Sequence, residues 1–282
     1  MRKSEKPKKI FDGMYYKHQK AEHTVAIIAG LSTGNHAFIQ IITNDKSYYL
    51  NYPVSVCKFG EIIEIADNIF SSDGVKININ ENSVLISGEI KYTELTPLKY
   101  DIMGPFGYLP MECRHKISSL HHRLDGGLSF NGNFIDFTDG IGYIEGDSGK
   151  SFPKSYAWIQ FNDFTEKACV SVSIADIPFA GLRFQGCIGI VYVDGVEYRM
   201  ATYLGVKIIC CTENRIVIKQ GKFCLDIEIG AGTEYKLIAP DKGDMTREIR
   251  ECIVCEAKFR FMKGQLILFE QQTERASFEY VR

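Results

Sequence analysis

Apolar residues recur along this chain in short alternating or β-branched runs, each bounded by glycine, asparagine, aspartate or serine. Thr24-Val-Ala-Ile-Ile28, Ala37-Phe-Ile-Gln-Ile-Ile42, Val75-Lys-Ile-Asn-Ile79, Ser83-Val-Leu-Ile-Ser87 and Ile216-Val-Ile-Lys219 all have this form, which predicts strands. Turn dipeptides fall between such runs: Asn131-Gly132, Asp194-Gly195 and Gln220-Gly221 each read as a hairpin turn. No long 3.6-residue period competes, and only Phe59 to Ala66 and Met245 to Cys252 allow short helical turns. The fold class predicted is therefore all-β. Gly-Pro, Leu-Pro and a polar, His-rich segment interrupt the strand pattern between Met103 and Leu124. The break divides the chain into a basic tail over residues 1–10, a first β domain over 11–115 and a second over 116–282.

Candidate chemistry concentrates in the stretch from Gly140 to Phe164, which holds three carboxylates, two amides and the only tryptophan. With a period of two from Tyr156, the residues Tyr156, Trp158, Gln160, Asn162 and Phe164 share one strand face. A surface strand would carry charge there and a core strand aliphatics, so aromatic and amide side chains suit the wall of a ligand cavity. The competing reading is a core strand whose amides are satisfied internally. Glu145 and Asp147, two residues apart, share one face if the segment is extended, and a surface turn around Gly146 is the alternative.

These residues also carry a likeness. Gly142-Tyr-Ile-Glu-x-Asp-x-Gly-x-Ser-Phe-Pro followed by Tyr156-x-Trp-x-Gln-x-Asn-x-Phe164 resembles the signature of the tocopherol cyclase family, a branch of the two-domain lipocalin-like proteins distantly similar to carotenoid hydratases. Ile102-Met-Gly-Pro-Phe-Gly-Tyr-Leu-Pro-Met-Glu-Cys-Arg-His115, His36-Ala-Phe-Ile-Gln40, Gly13-Met-Tyr-Tyr-Lys-His18 and Met245-Thr-Arg-Glu-Ile-Arg-Glu251 are similar to further blocks of that family. The chain departs from the pattern at Met14, Lys116, Gly146 and Ser148, where the family usually has Trp, Gly, Lys and Trp. The resemblance implies two packed lipocalin-like β-barrel or sandwich domains, with a pocket in or between them. It also implies a lipophilic, prenylated aromatic or polyene substrate and acid-assisted cyclisation, or a related isomerisation or hydration. A non-catalytic binder of a hydrophobic small molecule is the other functional class.

Composition narrows the partners. A formal charge of −2 over 282 residues supplies no field for a phosphate backbone, which argues against nucleic acid. Arg2, Lys3, Lys6, Lys8 and Lys9 form the only basic run, expected to be a solvated tail with peripheral membrane contact as the alternative. No apolar run suits a signal peptide or a membrane-spanning helix. Nine cysteines without an export signal predict free thiols and a cytoplasmic location. Cys252-Ile-Val-Cys255 lacks a second pair or a nearby histidine, so the two thiols are expected to pack as small hydrophobes. Gly146-Asp-Ser-Gly149 ends too early for a serine-protease nucleophile segment, Gly149-Lys150-Ser151 lacks the first glycine of a phosphate loop, and adjacent His121 and His122 face opposite ways on a strand. No metal or cofactor is called for.

Acid-assisted cyclisation requires a proton for an alkene and a dry cavity for the cation. A carboxylic acid buried in apolar surroundings stays protonated near neutrality, and this assigns Glu145 or Asp147 as the acid. Tyr143, Tyr156, Trp158 and Phe164 then line the pocket and face the cation, while His115, Gln160 and Asn162 hold the substrate oxygen. All six histidines precede the signature, so a site using one must join the chain's two halves.

Overall fold

The computed structural model describes residues 10–33, 36–81, 84–162, 168–179 and 182–282; the basic run of the tail lies outside them. The described residues form two antiparallel sheets, one of 12 strands and one of 10. Hairpin signals act as expected: Asn131 and Gly132, and likewise Asp194 and Gly195, take positive φ at both central positions, as a two-residue turn between twisted strands requires. Lys242 and Gly243 form a third such turn.

Two departures from the sequence reading matter. Met245 to Cys252 is not helical but the start of the strand Asp244–Lys263, because its alternate residues Ile249 and Glu251 reach buried positions while it pairs with Tyr235–Asp241. Phe59 to Ala66 likewise contains the strand Ile63–Ile65, which turns back onto Asn68–Ser71.

The change of sheet is the second departure. Cys113–Phe130 pairs with Val84–Thr93 on one side and Ile141–Gly149 on the other, so it lies inside the first sheet. The second sheet begins at Tyr156. The crossover is therefore the segment 150–155, not 115/116, and the signature straddles it: Glu145 and Asp147 belong to the first sheet, Tyr156 to Phe161 to the second. The Pro-rich loop before Cys113 interrupts the pattern but does not end the sheet, since the long strand after it finds edge partners on both sides.

Each sheet has its own apolar core, one around Ile27, Ile39, Phe70 and Leu128, the other around Ile159, Val172, Phe259 and Phe261. A third cluster, including Tyr15, Tyr143, Trp158, Ile190 and Ile253, joins the facing sides of the two sheets. Gln40 ties them further, its amide donating to the Ile238 carbonyl at 2.9 Å and its Oε1 accepting from the Ile238 N–H at 2.8 Å. No helix among the described residues is long and apolar enough to cross a membrane.

Candidate active site

Strand register builds the site. Phe11–Lys20 lies beside Ile141–Gly149 with Tyr15 opposite Glu145 and Gly13 opposite Asp147, and on the other flank His115 stands opposite Asp147. Alternation aims Tyr15, His115, Glu145 and Asp147 at the second sheet, and Met14, Lys116, Gly146 and Ser148 away from it. In the second sheet Trp158 stands opposite Glu279, which in turn stands opposite Glu251. Between the sheets lies a cavity of about 170 Å³, more than ten times the ~10–15 Å³ that one water requires. Tyr15, His115, Glu145 and Asp147 line it from one sheet, and Tyr156, Trp158 and Glu279 from the other.

Glu145 is buried at 5% exposure, and two donors converge on its Oε2 beside a histidine nitrogen that makes no hydrogen bond among the described residues. The Tyr143 hydroxyl donates at 2.7 Å, the Trp158 indole N–H at 3.2 Å, and His115 Nε2 stands 3.5 Å away. Tyr143 has one proton, so its 3.2 Å contact with the Ser171 hydroxyl is one in which it accepts. Burial raises the Glu145 pKa to about 7 against the opposing pull of His115, and neighbouring Asp147 adds to the rise. His115 Nδ1 is 3.2 Å from Asp147 Oδ1. Burial works against its charge, but Asp147 and Glu145 outweigh it and hold the imidazole pKa at about 9. At neutral pH this gives an imidazolium between two carboxyl groups, one of which changes charge near neutrality.

The opposite wall carries carboxyl groups too. Glu279 accepts from the Tyr156 hydroxyl at 2.6 Å, and Glu251 from the Tyr15 hydroxyl at 2.7 Å. Burial lifts Glu279 to about 8, with Glu145 and Asp147 adding to the rise against the Tyr156 bond; burial and Glu279 hold Glu251 well above the usual carboxylate range. The donors are exchanged across the interface. Trp158 of the second sheet serves Glu145 of the first, Tyr15 of the first serves Glu251 of the second, and the two rings meet edge to face at 5.7 Å.

Of the residues expected to form the site, His115, Glu145, Asp147, Tyr156 and Trp158 do line one cavity. Tyr143 stands behind Glu145 rather than in the cavity wall. Gln160 and Asn162 share the expected strand face but bond inside the protein. Gln160 Oε1 accepts from Lys17 Nζ at 3.1 Å, and Asn162 Nδ2 donates to the carbonyls of Gly142 at 2.8 Å and Leu120 at 3.1 Å. Their reading as amides of a core strand is the one that fits, although Gln160 Nε2 is left buried without a hydrogen-bond partner among the described residues. Phe164 lies outside the described residues. Tyr15, Glu251 and Glu279 were missed, although Tyr15 and Glu251 stand inside blocks that carry the family likeness. The departures at Met14, Lys116 and Gly146 fall on one cross-strand row of the first sheet, on the side away from the cavity, where a Cβ on Gly146 would stand 2.4 Å from Met14 Sδ. The row of Tyr15, His115, Glu145 and Asp147 that faces the second sheet is untouched by them.

His115, Glu145 and Asp147 each offer a ligand atom within 4.8 Å of one another. The two carboxylates address different ring nitrogens, an arrangement suited to passing a proton.

No family profile and no curated protein matches this sequence. Solved structures do. CghA aligns with a TM-score of 0.61 at 8% identity, covering 98% of this chain and 89% of that one. Kievitone hydratase from Nectria haematococca aligns at 0.53 and 11% identity over 96% and 88%, and AttH from Nitrosomonas europaea at 0.53 and 9% over 97% and 93%. At such identities the likeness concerns the fold, an all-β two-domain lipocalin-like architecture covering nearly the whole chain.

Proposed function

We propose that this protein is an enzyme that protonates a lipophilic substrate, a prenylated aromatic or a polyene, to drive intramolecular cyclisation or a related isomerisation or hydration. The observation that carries this reading is Glu145, a buried carboxyl that titrates near neutrality in the wall of a cavity between two sheets. In this reading Glu145 gives its proton to an alkene carbon, and the His115 imidazolium, 3.5 Å away and held by Asp147, reloads it. Trp158 and Tyr156 face the resulting cation. Hydration is the reaction that the name of the structurally similar kievitone hydratase gives for that protein.

A second reading, a non-catalytic binder, has its own support. Tyr143 and Trp158 both donate to one Glu145 oxygen, with His115 Nε2 3.5 Å away, a set that would equally serve to hold a fixed anion. Native mass spectrometry of the purified protein identifies a co-purifying ligand, and a prenylated hydroquinone then serves as assay probe. Glu145→Gln and Asp147→Asn are expected to lower turnover by about 10²-fold or more, with little change in probe affinity read from Trp158 quenching. Normal turnover in both variants would overturn the acid assignment; binding without turnover by the wild type would favour the binder.

A further inference from the structure

Protonating an alkene is half of the proposed reaction. The oxygen that captures the cation, a phenol or a water, must lose a proton, and the group that takes it needs a place on the cavity wall. We propose that Glu279, oriented by Tyr156, is that group: a second catalytic carboxyl, facing Glu145 from the opposite sheet. This inference rests on the proposed function and extends its site.

Geometry singles Glu279 out from Glu251, its partner in the second sheet, and from Asp176, which also lines the cavity but is only half-buried. Glu279 lines the cavity and Glu251 does not. It is 9% exposed, buried yet reachable from the cavity, whereas Glu251 is wholly covered. Its Oε2 is held by the Tyr156 hydroxyl at 2.6 Å, a single donor, so Oε1 stays available to a substrate proton. Trp158 stands directly opposite it in the sheet and bonds Glu145, so one side chain links the two carboxyl groups on either side of the space that a substrate would fill.

The step balances. Glu145 loses its O–H bond as a C–H bond forms on the alkene. The oxygen nucleophile bonds to the cation and its O–H bond breaks, the proton passing to Glu279. Solvent returns that proton to Glu145 through His115, and no oxidant or reductant is used. The charged and titratable groups around Glu279 come from every neighbouring strand: Glu145 and Asp147 on Ile141–Gly149, His115 on Cys113–Phe130, Glu251 and Arg247 on Asp244–Lys263, and Tyr156 on its own flank. Glu145 and Asp147 oppose ionisation of Glu279, so Glu145 and Glu279 are kept from ionising together and share one proton across neutrality.

The test uses the full chain and a prenylated hydroquinone. Glu279→Gln is expected to reduce kcat by about 10²-fold with probe affinity from Trp158 quenching retained, and to remove the acid limb of the pH–rate profile. In Glu279→Ala, formate is expected to restore part of the lost rate, which a structural role would not permit. Turnover by Glu279→Gln within about threefold of wild type, alongside a disabled Glu145→Gln, overturns this inference and leaves the proposed function standing. Should the wild type turn over no probe, infrared titration of the free protein decides. Glu145→Gln is expected to lower the pH at which the protonated carboxyl band absent from Glu279→Gln disappears, and an unmoved band overturns the pairing.

Discussion

Two buried polar groups occupy the same interface, one step apart on the same strands, and they are built to opposite ends. At Tyr15 and Trp158 the sheets leave a cavity, and carboxyl groups gather there with donors borrowed across the gap. Two residues further along each strand, at Lys17 and Gln160, the sheets close. The Lys17 ammonium, 1% exposed, gives its bonds to Gln160 and the Arg275 carbonyl. Both groups lie on one strand face and both are buried, so burial and alternation alone do not make a site. What distinguishes them is unfilled space beside a titratable group. The lysine row ties the sheets together; the tyrosine–tryptophan row faces the cavity.

The comparison predicts opposite pH dependence at its two ends. Burial lowers the Lys17 pKa to about 7 from 10.5, so between those pH values the unfolded chain binds a proton that the folded one does not, and stability rises with pH. The window spans about 3.5 pH units, worth at most about 5 kcal/mol. Glu145 is raised to about 7 from 4.5, so there the folded chain holds the extra proton and stability falls with rising pH, by at most about 3 kcal/mol. Urea unfolding across pH should show Lys17→Met losing the alkaline rise and Glu145→Gln losing the acid-to-neutral fall. If both variants track the wild type in parallel, neither end titrates as described.

A smaller effect separates stability from binding. Asn162 satisfies two buried carbonyls, those of Gly142 and Leu120, so Asn162→Ala should cost about 2–4 kcal/mol in unfolding free energy. Because Asn162 is on the closed side of the interface, affinity for a prenylated hydroquinone should stay within about twofold. A large loss of affinity at unchanged stability would return Asn162 to the cavity wall.

How far the sequence could be read follows from the same contrast. Alternation correctly put Tyr156, Trp158, Gln160 and Asn162 on one face, because a strand's period is a local property. Where along that face the cavity ends depends on how two sheets meet, and no local pattern encodes it; the two amides were therefore assigned to the ligand while serving the core. Glu145 and Asp147 were legible because they stand two apart beside aromatic neighbours. Glu279 was not, since it reaches Trp158 only through a strand pairing that spans more than a hundred residues. Glu251 reaches Glu279 past irregularities in register. The domain boundary failed for a similar reason: a proline-rich loop marks a break in a strand, not in a sheet.

Tyr143 links the two rows and gives the finest test of the contrast. Its backbone stands in register with Lys17, in the closed row, while its hydroxyl reaches Glu145 at 2.7 Å, in the open one. Since it donates to the carboxylate, it favours the ionised form. Tyr143→Phe deletes that bond without touching the cavity wall, and the loss of about 1.5 kcal/mol of preference for the anion raises the Glu145 titration by about one pH unit. Trp158, the only tryptophan, has its indole N–H on the same oxygen, so its fluorescence reports the midpoint, and the step that vanishes in Glu145→Gln identifies it. An upward move confirms that a residue of the closed row tunes the acid of the open one. A midpoint that stays put means that the hydroxyl does not hold the anion, and one that falls means that it had been accepting a proton from Glu145; either result breaks the link between the rows.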